Sequence, residues 1–104
     1  AKNFHFESLP KYPAIARDLA MLVDEDVAAA DIERVIAKHG GKYFTGVTLF
    51  DVYTGEHVAE GKKSLAFNLQ FQSKDKTLTD EEADAAFQSI LNAVEKQFQA
   101  ELRA

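Results

Sequence analysis

The hydrophobic and polar residues of the chain switch repeatedly between a period of two and a period of three to four. Residues 17–23 have the period of two that predicts a strand, with the more apolar side chains on one face. Residues 28–39 have helical spacing, and Gly40 and Gly41 follow where a C-terminal cap is expected. A strand and a helix are therefore predicted first, after an extended lead-in over residues 1–16 that contains two prolines.

Two further strands and a long helix are predicted next. Residues 43–53 are rich in β-branched and aromatic side chains, and residues 64–72 alternate more cleanly than any other stretch. Thr79 and Glu82 have the spacing of a capping box, which predicts that a long helix begins there. Residues 100–103 either extend that helix or form a short last strand, and periodicity leaves both open.

This order of elements predicts a single α+β domain over residues 1–104, a ferredoxin-like split β-α-β fold (βαββαβ). Its antiparallel sheet would carry both helices on one face. The side chains expected beneath the helices are Leu19, Met21, Val23, Phe50, Val52, Leu65, Phe67, Leu69 and Phe71. The residues expected on the uncovered face are Asp18, Ala20, Leu22, Leu49, Asp51, Tyr53, Ser64, Ala66, Asn68 and Gln70.

Charge and composition restrict what this domain can bind. A net charge of -5 disfavours nonspecific binding to polyanions, because that affinity comes from Lys and Arg releasing counterions. The lack of Cys removes disulfides and thiol chemistry, which suits the cytoplasm, and no stretch approaches the roughly 20 apolar residues of a membrane span. We expect a cytoplasmic domain without a membrane partner. Because the sequence begins with Ala and not Met, we also expect it to be a piece of a longer polypeptide.

The sequence has no motif for catalysis or metal binding. His5, His39 and His57 are too dispersed for a metal site, and no serine lies in a nucleophile elbow. The run from Gly61 to Ser64 lacks the upstream glycine and the following helix of a phosphate-binding loop. We therefore expect a noncatalytic binding domain with no metal ligand and no cofactor of its own.

The uncovered face offers chemistry that suits single-stranded RNA. Tyr53 is an aromatic platform, Asp51 is an acceptor, Ser64 and Asn68 supply hydroxyl and amide groups, and small alanines let a flat ligand approach. Proteins recognise unpaired bases by stacking and by hydrogen bonds to base edges. From this pattern alone, an ordinary solvated sheet face stays an equal alternative.

Basic residues near the predicted hairpin between residues 43–53 and 64–72 are the candidates for phosphate contacts. Lys62 and Lys63 lie there, with Arg17 and Lys11 as neighbours to consider. A solvated hairpin explains the same lysines equally well.

Four motifs, in order along nearly the whole chain, resemble those of a known family. They are Tyr-Pro-Ala-Ile-Ala-Arg-Asp-Leu-Ala at 12–20, Leu-Phe-Asp-Val-Tyr-x-Gly at 49–55, Gly-Lys-Lys-Ser-Leu-Ala-Phe at 61–67 and Thr-Leu-Thr-Asp-Glu-Glu at 77–82. Together they resemble the ferredoxin-fold anticodon-binding domain at the C-terminus of the phenylalanyl-tRNA synthetase beta subunit of bacterial type.

The resemblance implies a function for the uncovered face. In that family the domain binds the anticodon stem and loop of tRNA(Phe), while the alpha subunit of a heterotetramer catalyses aminoacylation with ATP and magnesium. By motif position, Ala20, Asp51, Tyr53 and Ser64 would contact the first anticodon base. Tyr53 would stack on it, and Asp51 would accept hydrogen bonds from a guanine edge. The implied partners are tRNA(Phe), the alpha subunit and the rest of the beta subunit, and no DNA is expected.

Two other functions stay open on the fold alone. Related βαββαβ folds bind amino acids as small-ligand regulatory modules, often between paired domains, and a sheet face can also serve as a subunit-interaction surface. An enzymatic alternative, acyl-phosphate hydrolysis, would need a phosphate-cradling loop with a placed arginine. Arg17, within or beside a strand, does not supply one.

Overall fold

The computed structural model describes residues 12–103. Its elements are β1 (Ile15–Asp24), α1 (Ala29–His39), β2 (Phe44–Tyr53), β3 (Lys62–Phe71), α2 (Asp80–Phe98) and β4 (Glu101–Leu102). This βαββαβ order, with an antiparallel sheet, confirms the predicted ferredoxin-like α+β class. Of the two alternatives left open for residues 100–103, the structure has the short strand.

Two strands begin earlier than the sequence predicts, because pairing extends them. Ile15 pairs with Phe71, so the last residues of the predicted lead-in already belong to β1. Lys62 pairs with Asp24, so β3 begins two residues before the clean alternation does. The part of the predicted lead-in over residues 1–11 lies outside the described residues.

The sheet has the strand order β2-β3-β1-β4. β1 and β3 lie in the centre and pair without interruption from Ile15–Phe71 to Asp24–Lys62. β4 adds two pairs to the free side of β1, and β2 forms the opposite edge. Both central strands are thus held on two sides, whereas β2 is held on one.

The helices cover one face of this sheet and bury its core. Ile32 and Ile36 of α1, with Ile90 and Val94 of α2, are fully buried in the same cluster as the sheet residues. The sheet contributes Leu19, Met21, Val23, Leu65, Phe67, Leu69 and Phe71. The core predicted for β1 and β3 is therefore confirmed residue by residue.

The ends of the helices agree with their predicted caps. The Thr79 hydroxyl accepts from the Glu82 amide and the Glu82 carboxylate accepts from the Thr79 amide, which completes the capping box of α2. After α1, Gly41 has a φ of 81°, a left-handed conformation that favours glycine. Gly40 is needed for close approach, since a Cβ there would lie 2.5 Å from the Cβ of Phe44.

The predicted faces of β2 are partly wrong, because the strand contains a β-bulge. Leu49 pairs with Phe67 and Asp51 pairs with Ala66, so one extra residue is inserted between them. Leu49, predicted on the uncovered face, instead packs against the core. Phe50, predicted beneath the helices, is 56% exposed.

Beyond the bulge, β2 returns to the predicted alternation. Asp51 and Tyr53 pair with residues of the uncovered face, as expected. Val52 pairs with Leu65 on the helix side, yet it is 55% exposed, because it lies near the end of an edge strand. The expectation that Val52 is buried is therefore also wrong.

Candidate functional site

We call the sheet surface opposite the helices the open face. Directly paired residues of neighbouring strands share a face, so the register places side chains in rows across the sheet. One row contains Tyr53 and Ser64. The next contains Asp51, Ala66 and Ala20. The four residues that the family resemblance assigns to the first anticodon base thus lie together in two adjacent rows, while their contact with RNA stays a prediction.

Tyr53 is a fixed but accessible aromatic side chain. Its hydroxyl donates a hydrogen bond to the Glu56 carbonyl at 3.0 Å, within the hairpin that joins β2 to β3. Gly55, with a φ of 123°, brings that hairpin close to the tyrosine, since a Cβ there would lie 3.5 Å from the hydroxyl. The side chain remains 45% exposed. A planar ligand can therefore stack on a ring whose position is already set.

The row next to Tyr53 forms a flat surface, because two of its side chains are short. Ala66 and Ala20 have only methyl groups, and they pair with each other next to Asp51 at the sheet edge. A planar group can approach the backbone closely over these two residues, with the Asp51 carboxylate as a hydrogen-bond acceptor at one end.

A hydrogen-bonded network occupies the following rows of the open face. The Asn68 side-chain amide donates to the Asp18 carboxylate at 3.0 Å, and the Gln70 amide donates to the Asn68 side-chain carbonyl at 3.1 Å. Thr48 pairs with Asn68 from the edge strand. Asn68, a predicted RNA contact, is therefore already hydrogen-bonded to both Asp18 and Gln70. Its bond to Asp18 holds that carboxylate next to the row of Ala66 and Ala20.

The basic residues suggested as phosphate contacts do not gather at this site. Lys62 lies on the open face but is ion-paired with Asp24 at 2.8 Å. Lys63 and Arg17 occupy the alternate positions of their strands and so lie on the helix side. There the Arg17 guanidinium forms an ion pair with Asp84 of α2 at 3.0 Å. Lys11 lies outside the described residues.

Among residues 12–103, the open face has more negative than positive groups, which limits the chemistry of the ligand that it can accept. Its basic residues are Lys62, already paired, and Arg103 at the β4 margin. Its carboxylates are those of Asp18, Asp24, Asp51 and Glu101. Such a surface repels phosphates and offers acceptors to groups that donate hydrogen bonds, such as the N–H groups of bases.

The sequence pattern did not identify two residues at or beside this surface. Phe50 was assigned to the core, because strict alternation has no place for the extra residue of a bulge. Arg103 continues the pairing of β4, since its amide donates to the Ala20 carbonyl at 2.8 Å, and so it ends the row of Ala66 and Asp51. The only signal for it is the alternation of three residues at 101–103, which is too short to identify a strand.

Neither a metal centre nor a membrane span is found in the part of the chain that the structure describes. Among residues 12–103, no three His, Cys, Asp or Glu side chains are grouped so that they could hold a metal ion. In the same range, neither helix combines the length and the apolar character needed to cross a bilayer.

Comparisons with known proteins agree with this architecture. The family model of the ferredoxin-fold anticodon binding domain matches residues 10–103. Similar relatives include the phenylalanine–tRNA ligase beta subunits of Bacillus subtilis (strain 168), 47% identical over 94% of this chain, and of Geobacillus kaustophilus (strain HTA426), 46% identical over 99%. The match covers 12% and 13% of those relatives, so the chain spans only about an eighth of their length.

Proposed function

The chain belongs to the ferredoxin-fold anticodon binding domain family, and from this premise we propose that its open face binds the anticodon loop of tRNA(Phe). The relatives are phenylalanine–tRNA ligase beta subunits, which supports tRNA(Phe) as the RNA. The observation that carries the proposal is the adjacency of an exposed, fixed Tyr53 to the flat row that begins at Asp51.

Each residue of the two rows has a role in this proposal. The first anticodon base stacks on Tyr53 and lies over the methyl groups of Ala66 and Ala20. The Asp51 carboxylate accepts hydrogen bonds from the donors of a guanine edge, and the Ser64 hydroxyl contacts the same base. Discrimination against other bases then depends mainly on Asp51, because stacking accepts any base.

The charge of the open face implies an orientation for the RNA. The carboxylates around the flat row favour bases that face the sheet and phosphates that point away from it. Few phosphates would then be neutralised, so the isolated domain holds RNA weakly and loses it as salt rises. Most of the affinity for tRNA comes from the rest of the protein.

We propose that this protein is a beta subunit that works in the cytoplasm with an alpha subunit, in a heterotetramer. The enzyme would attach phenylalanine to tRNA(Phe) at a catalytic site outside this domain, with ATP and magnesium bound there. This domain would position the tRNA and contribute no catalytic group.

Titration of tRNA(Phe) against the assembled enzyme, with and without this domain, tests the proposal. We expect deletion to weaken tRNA binding, and a tRNA with a changed first anticodon base to lose the difference. Tyr53→Ala should weaken binding by about 1 to 3 kcal/mol, the usual contribution of one stacked base. Tyr53→Phe keeps the ring and should bind nearly as well as the unchanged enzyme.

An unchanged affinity after deletion of the domain would exclude this function. An effect of Tyr53→Ala below a few tenths of a kcal/mol would remove its stacking role alone. The small-ligand alternative has no comparable support. The shallow recess lined by Asp24, Glu25 and Asp26 beside Gly61 is acidic, and none of these residues is a cation that could pair with the carboxylate of an amino acid.

A further inference from the structure

The large hydrophobic side chains that are exposed in the described chain cluster at one place. They are Phe50, Val52 and Tyr53, at 56%, 55% and 45% exposure, and all three lie in the last four residues of the edge strand β2. Single exposed apolar residues such as Val52, which lies on the helix side, are ordinary, but Phe50 and Tyr53 are two exposed aromatic rings on either side of Asp51 in the strand. The proposed function uses Tyr53 and leaves Phe50 without a role.

The bulge puts Phe50 next to the proposed base site. Leu49 pairs with Phe67 and Asp51 with Ala66, so Phe50 is the extra residue between them, without a partner of its own in β3 and directly before Asp51. Bulges often redirect a side chain near a functional site. Here the bulge takes an aromatic ring out of the core and sets it beside the carboxylate proposed to recognise the first base.

We infer that Phe50 is a second stacking platform, which takes the base of the nucleotide adjacent to the one on Tyr53. This inference rests on the proposed function. Phe50 directly precedes Asp51, which lies in the row of Ala66, and Tyr53 lies in the row of Ser64; two residues of strand separate these two rows by roughly 7 Å. That spacing suits two consecutive bases turned out of their helical stack.

The chemistry around Phe50 favours a base over a phosphate or an acidic peptide. Asp51 adjoins Phe50, and Asp18 lies one row away, next to Ala66 and Ala20. These carboxylates repel anions, whereas an aromatic ring between acceptors suits a flat group with N–H donors. Phe50 has no hydrogen-bonding group of its own. It therefore adds affinity for any base at its position and does not select among the four.

A double-mutant cycle on the assembled enzyme tests this pairing. The probes are tRNA(Phe) transcripts with one abasic nucleotide at each anticodon-loop position in turn, measured with the unchanged enzyme, Phe50→Ala and Tyr53→Ala. We expect Phe50→Ala to weaken binding of intact tRNA by roughly 5- to 150-fold, the range for one stacked base. The loss should vanish with the abasic site next to the first anticodon position. With an intact nucleotide at that position, the loss of affinity should be similar for each of the four bases.

Val52→Ala is the matched control, because Val52 is exposed to the same extent on the same strand but pairs with Leu65 on the helix side. It should leave tRNA affinity unchanged. Phe50→Tyr keeps a ring and should restore most of the affinity lost in Phe50→Ala.

The outcomes separate this inference from the proposed function. If Tyr53→Ala couples to the first anticodon base but Phe50→Ala couples to none, the inference is overturned and the function survives; Phe50 then contacts protein or acts indirectly. Coupling of Phe50 to the same base as Tyr53 also overturns it. If neither variant couples to any base, both stacking roles are overturned, and the deletion of the domain then decides whether the proposed function survives.

Discussion

The two sides of β3 pair very differently. Towards β1 the register runs through ten consecutive pairs without interruption, whereas towards β2 it shifts twice, between Phe44 and Gly46 and between Leu49 and Asp51. The two strands of the regular pair, β1 and β3, hold the fully buried residues of the sheet. The irregular side ends in the exposed group that contains Phe50 and Tyr53. Stability is thus expected to reside mainly in one half of the sheet, and binding in the edge of the other.

This division has a physical reason. A central strand is fixed by neighbours on both sides, so an inserted residue would disrupt two sets of hydrogen bonds and move buried side chains to the wrong face. An edge strand has only one set to disrupt, and its bulge can therefore redirect a side chain at little cost to the core. β2 can carry unusual surface residues because it is an edge strand.

The largest expected effect compares one substitution in the two halves. Phe67 of β3 is fully buried, and Phe67→Ala should reduce the free energy of unfolding by roughly 3–5 kcal/mol through lost burial and the cavity left behind. Phe50→Ala makes the same chemical change at an exposed position and should shift it by about 0.5 kcal/mol or less. Urea denaturation measures both. Similar losses would show that the bulged edge belongs to the core after all.

Substitution of two glycines should give a smaller difference in the free energy of unfolding. A Cβ at Gly40 would lie 2.5 Å from Phe44 side-chain atoms, so Gly40→Ala should cost roughly 1–3 kcal/mol through overpacking. Gly46, at the first shift of the edge strand, has no heavy atom within 4 Å of a built Cβ, and Gly46→Ala should be tolerated. Thermal unfolding of the two variants measures the difference. A larger loss at Gly46 than at Gly40 would mean that the bulged part of the edge strand is more tightly constrained than the contact between the end of α1 and Phe44.

The cap of α2 should contribute about as much as one ordinary capping interaction. Thr79→Ala removes the hydroxyl that accepts from the Glu82 amide and should cost about 1 kcal/mol of stability. Thr77→Ala, at an exposed position outside the helix, is the control and should be nearly neutral. Because α2 covers the helix side, tRNA binding by the folded Thr79 variant should not change. Reduced binding under conditions where the variant is fully folded would contradict the separation of the two faces.

The smallest expected effect is a pH dependence confined to the helix side. The Glu82 carboxylate accepts hydrogen bonds from the Lys76 ammonium and from the Thr79 backbone amide. These bonds, the one from Lys76 most strongly, hold the pKa of Glu82 below its ordinary value. An acid with a lowered pKa stabilises the fold above its ordinary pKa, and this contribution disappears as the pH falls through the lowered value. The urea midpoint should therefore fall slightly more on acidification in the unchanged chain than in Glu82→Gln. Identical pH profiles would show that this carboxylate does not contribute.

The sequence alone was sufficient for the fold class, the core of β1 and β3, the capping box and the position of the four candidate residues on one face. Those features depend on local periodicity, which alternation and helical spacing record directly. The same alternation already puts Arg17 in phase with Leu19 on the helix side, so its placement away from the open face followed from the pattern, although charge suggested a phosphate contact.

Only the tertiary structure decided the second half of β2 and the end of the chain. Residues 49–53 have apolar side chains at Leu49, Phe50, Val52 and Tyr53, a pattern that fits either phase of a strand. Pairing with β3 determines where the extra residue is accommodated, and so which of Leu49 and Phe50 enters the core. Likewise, two residues become β4 only because β1 offers a free side. Register and edge pairing are properties of two strands together, and one strand's sequence does not contain them.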